Sequence, residues 1–240
     1  AIRGIEKIRG YNRMPHIKYS ERYKTWYYTY NTALHVEKKR KVQFRTKQEL
    51  VPFQEYTPYP GILPKVMPVG IDFQFSAREE NQNIFKSATN NKVSAIICYE
   101  SVYGKLYSEY SKEGTEAFFE ILNEGWYNNT KGSQQFLNIS VIRSIEYRKD
   151  IARSSNMGIS CFINQKGEVT NKIEGKKVGK IIKDMHFRKQ GTFYSRIGDY
   201  LSIISLIVMI FLIGKEIVST LIKNKVKYIE TRSWKTNYRG

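Results

Sequence analysis

Hydrophobic positions along the chain follow two periods, one typical of strands and one typical of helices. Six short runs rich in β-branched, aromatic or apolar residues predict strands, and apolar residues three or four positions apart predict helices between them. Strands that alternate with helices indicate a layered α/β sandwich. The expected strands cover residues 26–36, 42–46, 93–97, 117–122, 159–164 and 169–173.

The helical spacing is clearest in two segments. The first follows Cys98 and should end near Gly114. Its apolar residues, four positions apart, are Val102, Leu106 and Tyr110. The second helix is expected over residues 134–151, with a loop over 153–158 after it. One face of this second helix should carry Phe136, Ile139, Ile142 and Ile145.

Three other segments lack such a period. Residues 1–24 are basic and rich in tyrosine, so a loop with a partial strand is expected there. Three prolines exclude regular structure over residues 47–60, which predicts an ordered loop. Residues 61–90 have the polar composition of a surface excursion with short strands. The three prolines are Pro52, Pro58 and Pro60.

Residues 200–214 differ from the rest of the chain because no charged residue interrupts their apolar run. This run is shorter than the roughly 20 residues that span a bilayer, but the residues up to 222 extend it. A membrane helix is therefore expected, and a buried helix of a soluble protein is the alternative. The expected boundaries are 1–196 for a folded domain, 197–222 for a transmembrane helix and 223–240 for a basic cytoplasmic tail.

The formal net charge of +18 raises the question of an anionic partner. Most of the excess lies at the two ends, with +9 over residues 1–50 and +5 over residues 215–240. No RNP motif, zinc-finger spacing or helix-turn-helix signature accompanies it, so no nucleic acid is expected as a partner. Anionic phospholipid headgroups account for the same charge. A non-catalytic basic protein of the membrane surface or of nucleic acid is the alternative.

Two cysteines and three scattered histidines exclude a disulfide-rich scaffold and the common zinc patterns, so neither a metal nor a cofactor is expected. Cys98 ends the expected strand 93–97, at an elbow where the positive end of the next helix would favour a thiolate. Glu100, two residues further on, could orient or deprotonate a nearby group. A small buried core cysteine is the alternative. Cys98 and Cys161 are expected to remain unbridged.

Five motifs follow one another along the chain: Lys47-x-x-Leu-Val-Pro-Phe-x-Glu55, Ile97-Cys98-Tyr99-Glu100, Asn123-x-Gly-Trp126, Arg143-x-x-Glu146 and Arg153-x-x-Asn156-x-Gly158. In this order they resemble the carbon–nitrogen hydrolase (nitrilase) superfamily, and within it the apolipoprotein N-acyltransferases. The resemblance covers about residues 27–213, including a closing membrane helix that soluble nitrilases lack. It implies an α/β fold, a four-layer αββα sandwich that is incomplete at its N-terminus here, followed by one C-terminal transmembrane helix.

The resemblance also implies acyl transfer through a cysteine thioester. Cys98 would take an acyl chain from a phospholipid, and Lys47 would stabilise the tetrahedral oxyanion. The acyl group would then pass to the α-amino group of a diacylglyceryl-modified apolipoprotein. Glu55 and Glu100 match carboxylates that support the catalytic site. Substrate contacts are expected from Trp126 and Tyr99, and structural support from Arg143, Glu146, Arg153 and Asn156.

One element of the resemblance has no counterpart. The general base of these enzymes is a glutamate on an early strand, usually after a proline, and no Pro-Glu pair precedes Lys47. Glu6 and Glu21 match nothing in the pattern. If these 240 residues were the whole protein, we would expect little or no acyl transfer, because proton transfer at Cys98 would lack its agent.

The expected location is the bacterial cytoplasmic (inner) membrane, with the catalytic domain on the periplasmic or outer face, and the expected state is a monomer. Two alternatives to the acyltransferase remain open at this point. One is a soluble-type amidase of the same superfamily, which needs a water-accessible pocket and no membrane helix. The other is a catalytically inactive, truncated membrane protein.

Overall fold

The computed structural model falls into two compact units, Ala1–Gly198 and Asp199–Gly240. Part of the loop expected over residues 47–60, namely residues 56–58 and 60, lies outside the described residues. So does most of the expected surface excursion, residues 61–83. The domain boundaries drawn from the sequence remain predictions. The structure describes residues 2–8, 18–22, 24–55, 59, 84–127, 131–175 and 177–236.

The first unit contains two sheets, and the first sheet is organised around strand β3 (Thr25–His35). Strands β1 (Ile2–Ile8), β2 (Lys18–Ser20) and β4 (Gln43–Thr46) all pair with it in antiparallel orientation. The expected strand over residues 42–46 is therefore confirmed as β4. The prediction of a loop with a partial strand over residues 1–24 assigned too few residues to strands, because β1 is a full seven-residue strand.

The second sheet has six strands in the order β10-β9-β8-β7-β6-β5. Strands β6, β7 and β8 are parallel neighbours, so their carboxyl ends meet at one edge of the sheet. The outer strands pair in antiparallel orientation. The strands are β5 (Phe85–Lys86), β6 (Lys92–Ile97), β7 (Ala117–Leu122), β8 (Ile151–Ser155), β9 (Ile159–Ile163) and β10 (Val169–Glu174).

Helices cover one face of this sheet. Helix α1 (Gly104–Lys112) and helix α2 (Lys131–Tyr147) pack over its central strands. Successive strand residues point to opposite faces, so Phe118 lies under the helices while its neighbour Phe119 lies on the other side. The core below the helices contains Ile96, Leu106, Tyr107, Tyr110, Phe118, Leu137, Tyr147, Ile151, Ile159, Cys161 and Ile163.

The two sheets contact each other on the opposite face. Ala33 of β3 packs against Phe85, Val93 and Ala95 of the six-stranded sheet, and Ile97 belongs to the same cluster. The described residues thus supply a helical layer, a mixed sheet and a second sheet. The predicted layered α/β fold is confirmed.

Two details of the prediction were wrong around helix α2. It begins at Lys131 and ends at Tyr147, and strand β8 occupies part of the segment where a loop was expected. Its buried face also differs from the predicted one, since Ile142 is 50% and Ile145 42% exposed. Residues three apart drift about 60° around a helix at each step, so they do not stay on one face. The buried positions are Ser133, Phe136, Leu137, Ser140, Ser144 and Tyr147.

The chain leaves the six-stranded sheet through an extended segment and a short helix α3 (Phe193–Ile197). Asp150 accepts hydrogen bonds from the backbone amides of Gln165 and His186, which attaches this segment to the sheet. Helix α4 (Tyr200–Thr236) forms the second unit. Among the described residues it is the one helix that is long and apolar enough to cross a membrane, over Tyr200–Lys225.

Candidate active site

Cys98 lies immediately after strand β6, at the edge where the carboxyl ends of the parallel strands meet. Its backbone has φ = 52°, in the left-handed region that residues with a Cβ seldom adopt. Such a conformation costs on the order of 1 kcal/mol and persists where the surrounding structure enforces it, often at functional sites. The side chain is half-buried, and its Sγ lies 3.8 Å from the carbonyl oxygen of Asn123.

The expected helix start beside Cys98 was wrong in one respect. The residues after the thiol form a 3₁₀ helix, Cys98–Val102, and α1 begins only at Gly104. The field of a helix terminus falls off within about one turn. The positive end of α1 is therefore too far from the thiol to favour a thiolate. The charged side chains of the site have to favour it instead.

Lys47 follows strand β4 and is almost completely buried, with 1% of the residue exposed. Its backbone amide donates to the carbonyl of Asn31, which extends the pairing of β3 with β4. Its Nζ donates to Oε2 of Glu55 at 2.7 Å, and the same oxygen accepts the amide of Val51 at 2.8 Å. Glu55 thus closes the turn after Lys47 and fixes the ammonium group.

Glu100 is fully buried, and its two oxygens accept hydrogen bonds from both sides of the site. Arg45 Nη1 and Nη2 donate to them at 2.7 and 2.8 Å. The amide of Gln48 donates at 2.6 Å and the amide of Ile97 at 2.8 Å. Lys47 and Cys98 are therefore each one residue away from an amide that binds the same carboxylate.

The predicted substrate-contacting residues lie in two neighbouring segments. Tyr99 is half-buried and packs edge-on against Tyr103, with 5.4 Å between the ring centroids. Trp126 belongs to the 3₁₀ helix Gly125–Tyr127 after β7, and its side chain lies outside the described residues. Partial burial raises the pKa of Tyr127, and the nearby Cys98 raises it further. This turn therefore lies close to the thiol.

The predicted supporting residues connect the strand ends. Arg153 of β8 forms ion pairs with Glu120, at 3.0 Å, and with Glu124. Asn156 accepts the amide of Glu124 and donates to the side chain of Asn123. Burial raises the pKa of the Glu124 carboxyl group, an effect that the Arg153 guanidinium opposes. The contacts of Arg153 and Asn156 with Glu124 thereby attach the loop that contacts Cys98 to strand β8 and the residues after it.

Arg143 and Glu146 behave as a structural pair on helix α2. Their side chains meet at 2.6 Å, and Arg143 Nη2 also donates to the carbonyl of Val102 at 2.8 Å. This second contact ties α2 to the end of the 3₁₀ helix that begins at Cys98. The pair braces the elbow from the helical side.

The second cysteine has a different environment. Cys161 is a free thiol in the core between sheet and helices, where burial raises its pKa to about 11. It is suited to packing rather than to nucleophilic chemistry at neutral pH. Within the described ranges, no group of three His, Cys, Asp or Glu residues could hold a metal ion.

A cavity of about 850 Å³ lies on the face of the six-stranded sheet opposite the helices. Phe119, Ile121 and Phe162 contribute to its wall. Cys98 and Lys47 are not among the described residues that line it. The charged and nucleophilic groups converge at the strand ends and not at this cavity.

The fold and the site together define an α/β sandwich protein with a cysteine at the carboxyl edge of its parallel strands. The chain belongs to the carbon–nitrogen hydrolase family, whose pattern matches residues 14–187. It also superposes on Saccharomyces cerevisiae Nit3, a member of branch 10 of the nitrilase superfamily, with a TM-score of 0.46 and 13% identity. That superposition covers 67% of this chain and 54% of the other.

Curated relatives share the name apolipoprotein N-acyltransferase. Apolipoprotein N-acyltransferase 1 of Treponema denticola is 28% identical over 203 residues, which cover 81% of this chain and 37% of the relative. The enzyme of Pasteurella multocida is 32% identical over 129 residues, covering 52% of this chain and 24% of the relative. The chain thus spans roughly a quarter to a third of the length of these relatives.

Proposed function

We propose that this chain contributes the nucleophile and the oxyanion-stabilising cation of a membrane N-acyltransferase. The acyl donor is a phospholipid, and the acceptor is the N-terminal amine of a diacylglyceryl-modified apolipoprotein. The family and the shared name of the relatives support lipoprotein N-acylation. The observation that carries the proposal for this chain is the elbow itself, a half-buried cysteine held at φ = 52° beside the segment of Lys47.

In the first half-reaction, the Cys98 thiolate attacks the ester carbonyl of the phospholipid. A C–S bond forms and the carbonyl oxygen becomes an oxyanion, which the Lys47 ammonium group stabilises. The C–O bond to the glycerol then breaks, and the lysophospholipid oxygen takes up the proton that the general base removed from the Cys98 thiol. Cys98 now carries the acyl chain as a thioester.

In the second half-reaction, the neutral amine of the diacylglyceryl-cysteine attacks the thioester carbonyl. A C–N bond forms, the C–S bond breaks, and the amine proton ends on the departing thiolate or on a base. An amide is more stable than a thioester, so the transfer runs toward the acylated lipoprotein. The phospholipid and then the apolipoprotein bind at the same edge of the sheet. Binding there brings first the ester carbonyl and then the amine to Cys98.

The two matched carboxylates take supporting roles in this scheme. Glu55 holds the Lys47 ammonium group at 2.7 Å, and Glu100 is occupied by Arg45 and by backbone amides. Neither carboxylate is thereby placed to remove a proton from Cys98. The resemblance assigns the general base to a glutamate on an early strand, for which the sequence offers no counterpart before Lys47.

Helix α4 is proposed to anchor the protein in the bacterial cytoplasmic membrane. Its apolar part, Tyr200–Lys225, exceeds the roughly 20 residues that cross the hydrocarbon core. Lysine and arginine residues follow it, as is typical of the cytoplasmic side. The catalytic unit would then face the periplasm or the outside, where diacylglyceryl-modified apolipoproteins are presented.

The decisive experiment replaces each cysteine in the full-length protein purified from membranes, which includes the general-base glutamate. After incubation with phospholipid, mass spectrometry of the peptide that contains Cys98 should show an added acyl chain in the wild type. Cys98→Ser should lose the thioester completely, whereas Cys161→Ser, a buried core substitution, should keep it. An acyl-enzyme that survives in Cys98→Ser, or a wild type that never forms one, would sink the proposal.

A further inference from the structure

Arg45 lies on strand β4, outside every motif that the sequence brought forward, and it is fully buried. We propose that Arg45 is a positioning residue that, through the Glu100 carboxylate, fixes the segment of Lys47 against the elbow of Cys98. This inference rests on the proposed function only for the roles of Lys47 and Cys98. The pair is called the Arg45–Glu100 clamp below.

The geometry of the clamp is bidentate. The two terminal nitrogens of Arg45 donate to different oxygens of Glu100, at 2.7 and 2.8 Å. Arg45 Nε donates to the hydroxyl of Tyr110 at 3.0 Å, and the guanidinium lies 5.0 Å from the centre of that ring. A planar fork held at three points leaves one orientation for the carboxylate.

The remaining capacity of the carboxylate goes to backbone amides of two distant segments. Oε1 accepts the amide of Gln48, and more weakly that of Glu49, in the loop after β4. Oε2 accepts the amide of Ile97, the last residue of β6. One carboxylate thus binds the amide of the residue after Lys47 and the amide of the residue before Cys98.

Electrostatics make the arginine necessary for this arrangement. A carboxylate with no exposed surface is costly to bury as an anion unless a cation pairs with it. Burial by itself would lower the pKa of Arg45, but Glu100 and Tyr110 outweigh burial and raise it, so the guanidinium stays charged. Without that charge the Glu100 carboxylate would be buried with no cation beside it and would turn away, which releases at least one of the two amides.

The clamp predicts a specific kinetic defect. If Lys47 shifts relative to Cys98, the oxyanion loses its stabilisation while the lipid still binds. A displacement of about 1 Å at an active site can cost about 100-fold in rate. We therefore expect Arg45→Met to slow acylation of Cys98 about 100-fold, with less than about a twofold change in the phospholipid concentration for half-maximal rate.

The measurement is single-turnover acylation of the protein purified from membranes, fitted to an amplitude and a rate constant. An unfolded fraction lowers the amplitude but not the rate constant of the folded molecules, so the rate constants of the variants are compared. Arg45→Lys keeps the charge but cannot span both oxygens and Tyr110, so we expect a loss of about tenfold. This variant also decides the question if Arg45→Met does not fold.

Asp150→Asn is the matched control. Asp150 is likewise a buried carboxylate that accepts amides from two segments, Gln165 and His186, but it precedes β8 at the opposite end of the strands from Cys98. This variant should lower the thermal midpoint and leave the acylation rate per site unchanged. Arg45 variants with the same behaviour as Asp150→Asn would overturn the proposal.

Hydrogen exchange separates failure of the clamp from failure of the proposed function. In Arg45→Lys the amides of Gln48 and Ile97 should exchange at least about tenfold faster, while those of Gln165 and His186 stay protected. Asp150→Asn should give the reverse pattern. Unchanged exchange at Gln48 and Ile97 contradicts the clamp whatever the chemistry, whereas a wild type that never acylates Cys98 contradicts the proposed function alone.

Discussion

Gly158 illustrates how the site depends on the absence of a side chain. A Cβ built at this position would lie 1.6 Å from Oε2 of Glu124, well inside van der Waals contact. The Glu124 carboxylate is fixed by Arg153 and cannot move aside freely. We expect Gly158→Ala to lower the free energy of unfolding by about 2–3 kcal/mol, measured by urea denaturation of the detergent-solubilised protein.

Gly125→Ala is the control for this substitution. Its Cβ would meet Asn123 Oδ1 at 3.3 Å, a contact that a small adjustment relieves. The expected loss is within about 0.5 kcal/mol. Equal losses for the two variants would contradict the close approach of Glu124 to the backbone of Gly158.

Residues that we propose to contact the substrate were easier to find in the sequence than residues that act through other residues. Cys98 and Lys47 stand in motifs whose spacing carries chemical meaning. Arg45 stands in a strand with ordinary composition, and its partner Glu100 lies 55 positions away. Only the folded chain shows that they meet. The alternation of β4 gave the opposite signal, because it would turn the apolar Phe44 inward, whereas Phe44 is 50% exposed and Arg45 is buried.

Helix α2 shows a related problem at the scale of an element. Its buried face carries three serines, and the large isoleucines that suggested a core face are exposed. Small side chains let the helix approach the sheet closely. Ser140 donates to Glu120 at 2.6 Å and accepts from Arg153 at 2.8 Å, so the interface is polar. A hydrophobic period does not reveal such a face.

The serine face leads to a stability prediction. Ser140→Ala removes a buried hydroxyl that two charged groups use, and we expect a loss of about 1–2 kcal/mol in the free energy of unfolding. Ile142→Ala, on the face predicted from the sequence, should cost about 0.5 kcal/mol because this side chain is half exposed. Thermal denaturation followed by circular dichroism compares the two. A larger loss for Ile142→Ala would restore the original assignment of the face.

Strands with mainly apolar runs were the most predictable elements. Strands β6 and β7 are largely covered on both faces, and apart from Lys92, Ser94 and Glu120 their residues are apolar, which is the signal that the prediction used. Strand β8 was missed because its sequence, Ile-Ala-Arg-Ser-Ser, contains an arginine and two serines. Arg153 is tolerated there because Glu120 and Glu124 neutralise it inside the fold.

At the scale of the whole molecule, one buried lysine should make stability depend on pH. Burial lowers the pKa of Lys149 to about 8, an effect that Arg188 adds to and Glu116 opposes. In the unfolded chain the same group titrates near 10.4. Between these values the unfolded state binds more protons, so stability rises with pH across this window and is flat above it. The rise is at most about 3 kcal/mol.

Urea midpoints at pH 7.5, 9 and 10.5 (buffer values) test this dependence. Lys149→Met should remove the rise that Lys149 contributes, and the difference between the wild type and this variant isolates it from tyrosines and cysteines that titrate nearby. Lys180→Met, at an exposed lysine, should keep the full slope. Parallel curves for the wild type and Lys149→Met would show that the buried lysine does not control the dependence.

The left-handed backbone at Cys98 has a consequence for evolution. Glycine adopts φ = 52° without strain, so it suits this backbone position better than any residue with a Cβ. Mutation would therefore move the position toward glycine in a lineage that no longer needed the thiol. Such a lineage would gain stability as it lost chemistry. We therefore expect glycine at this position more often in relatives that have lost acyl transfer than in relatives that keep it.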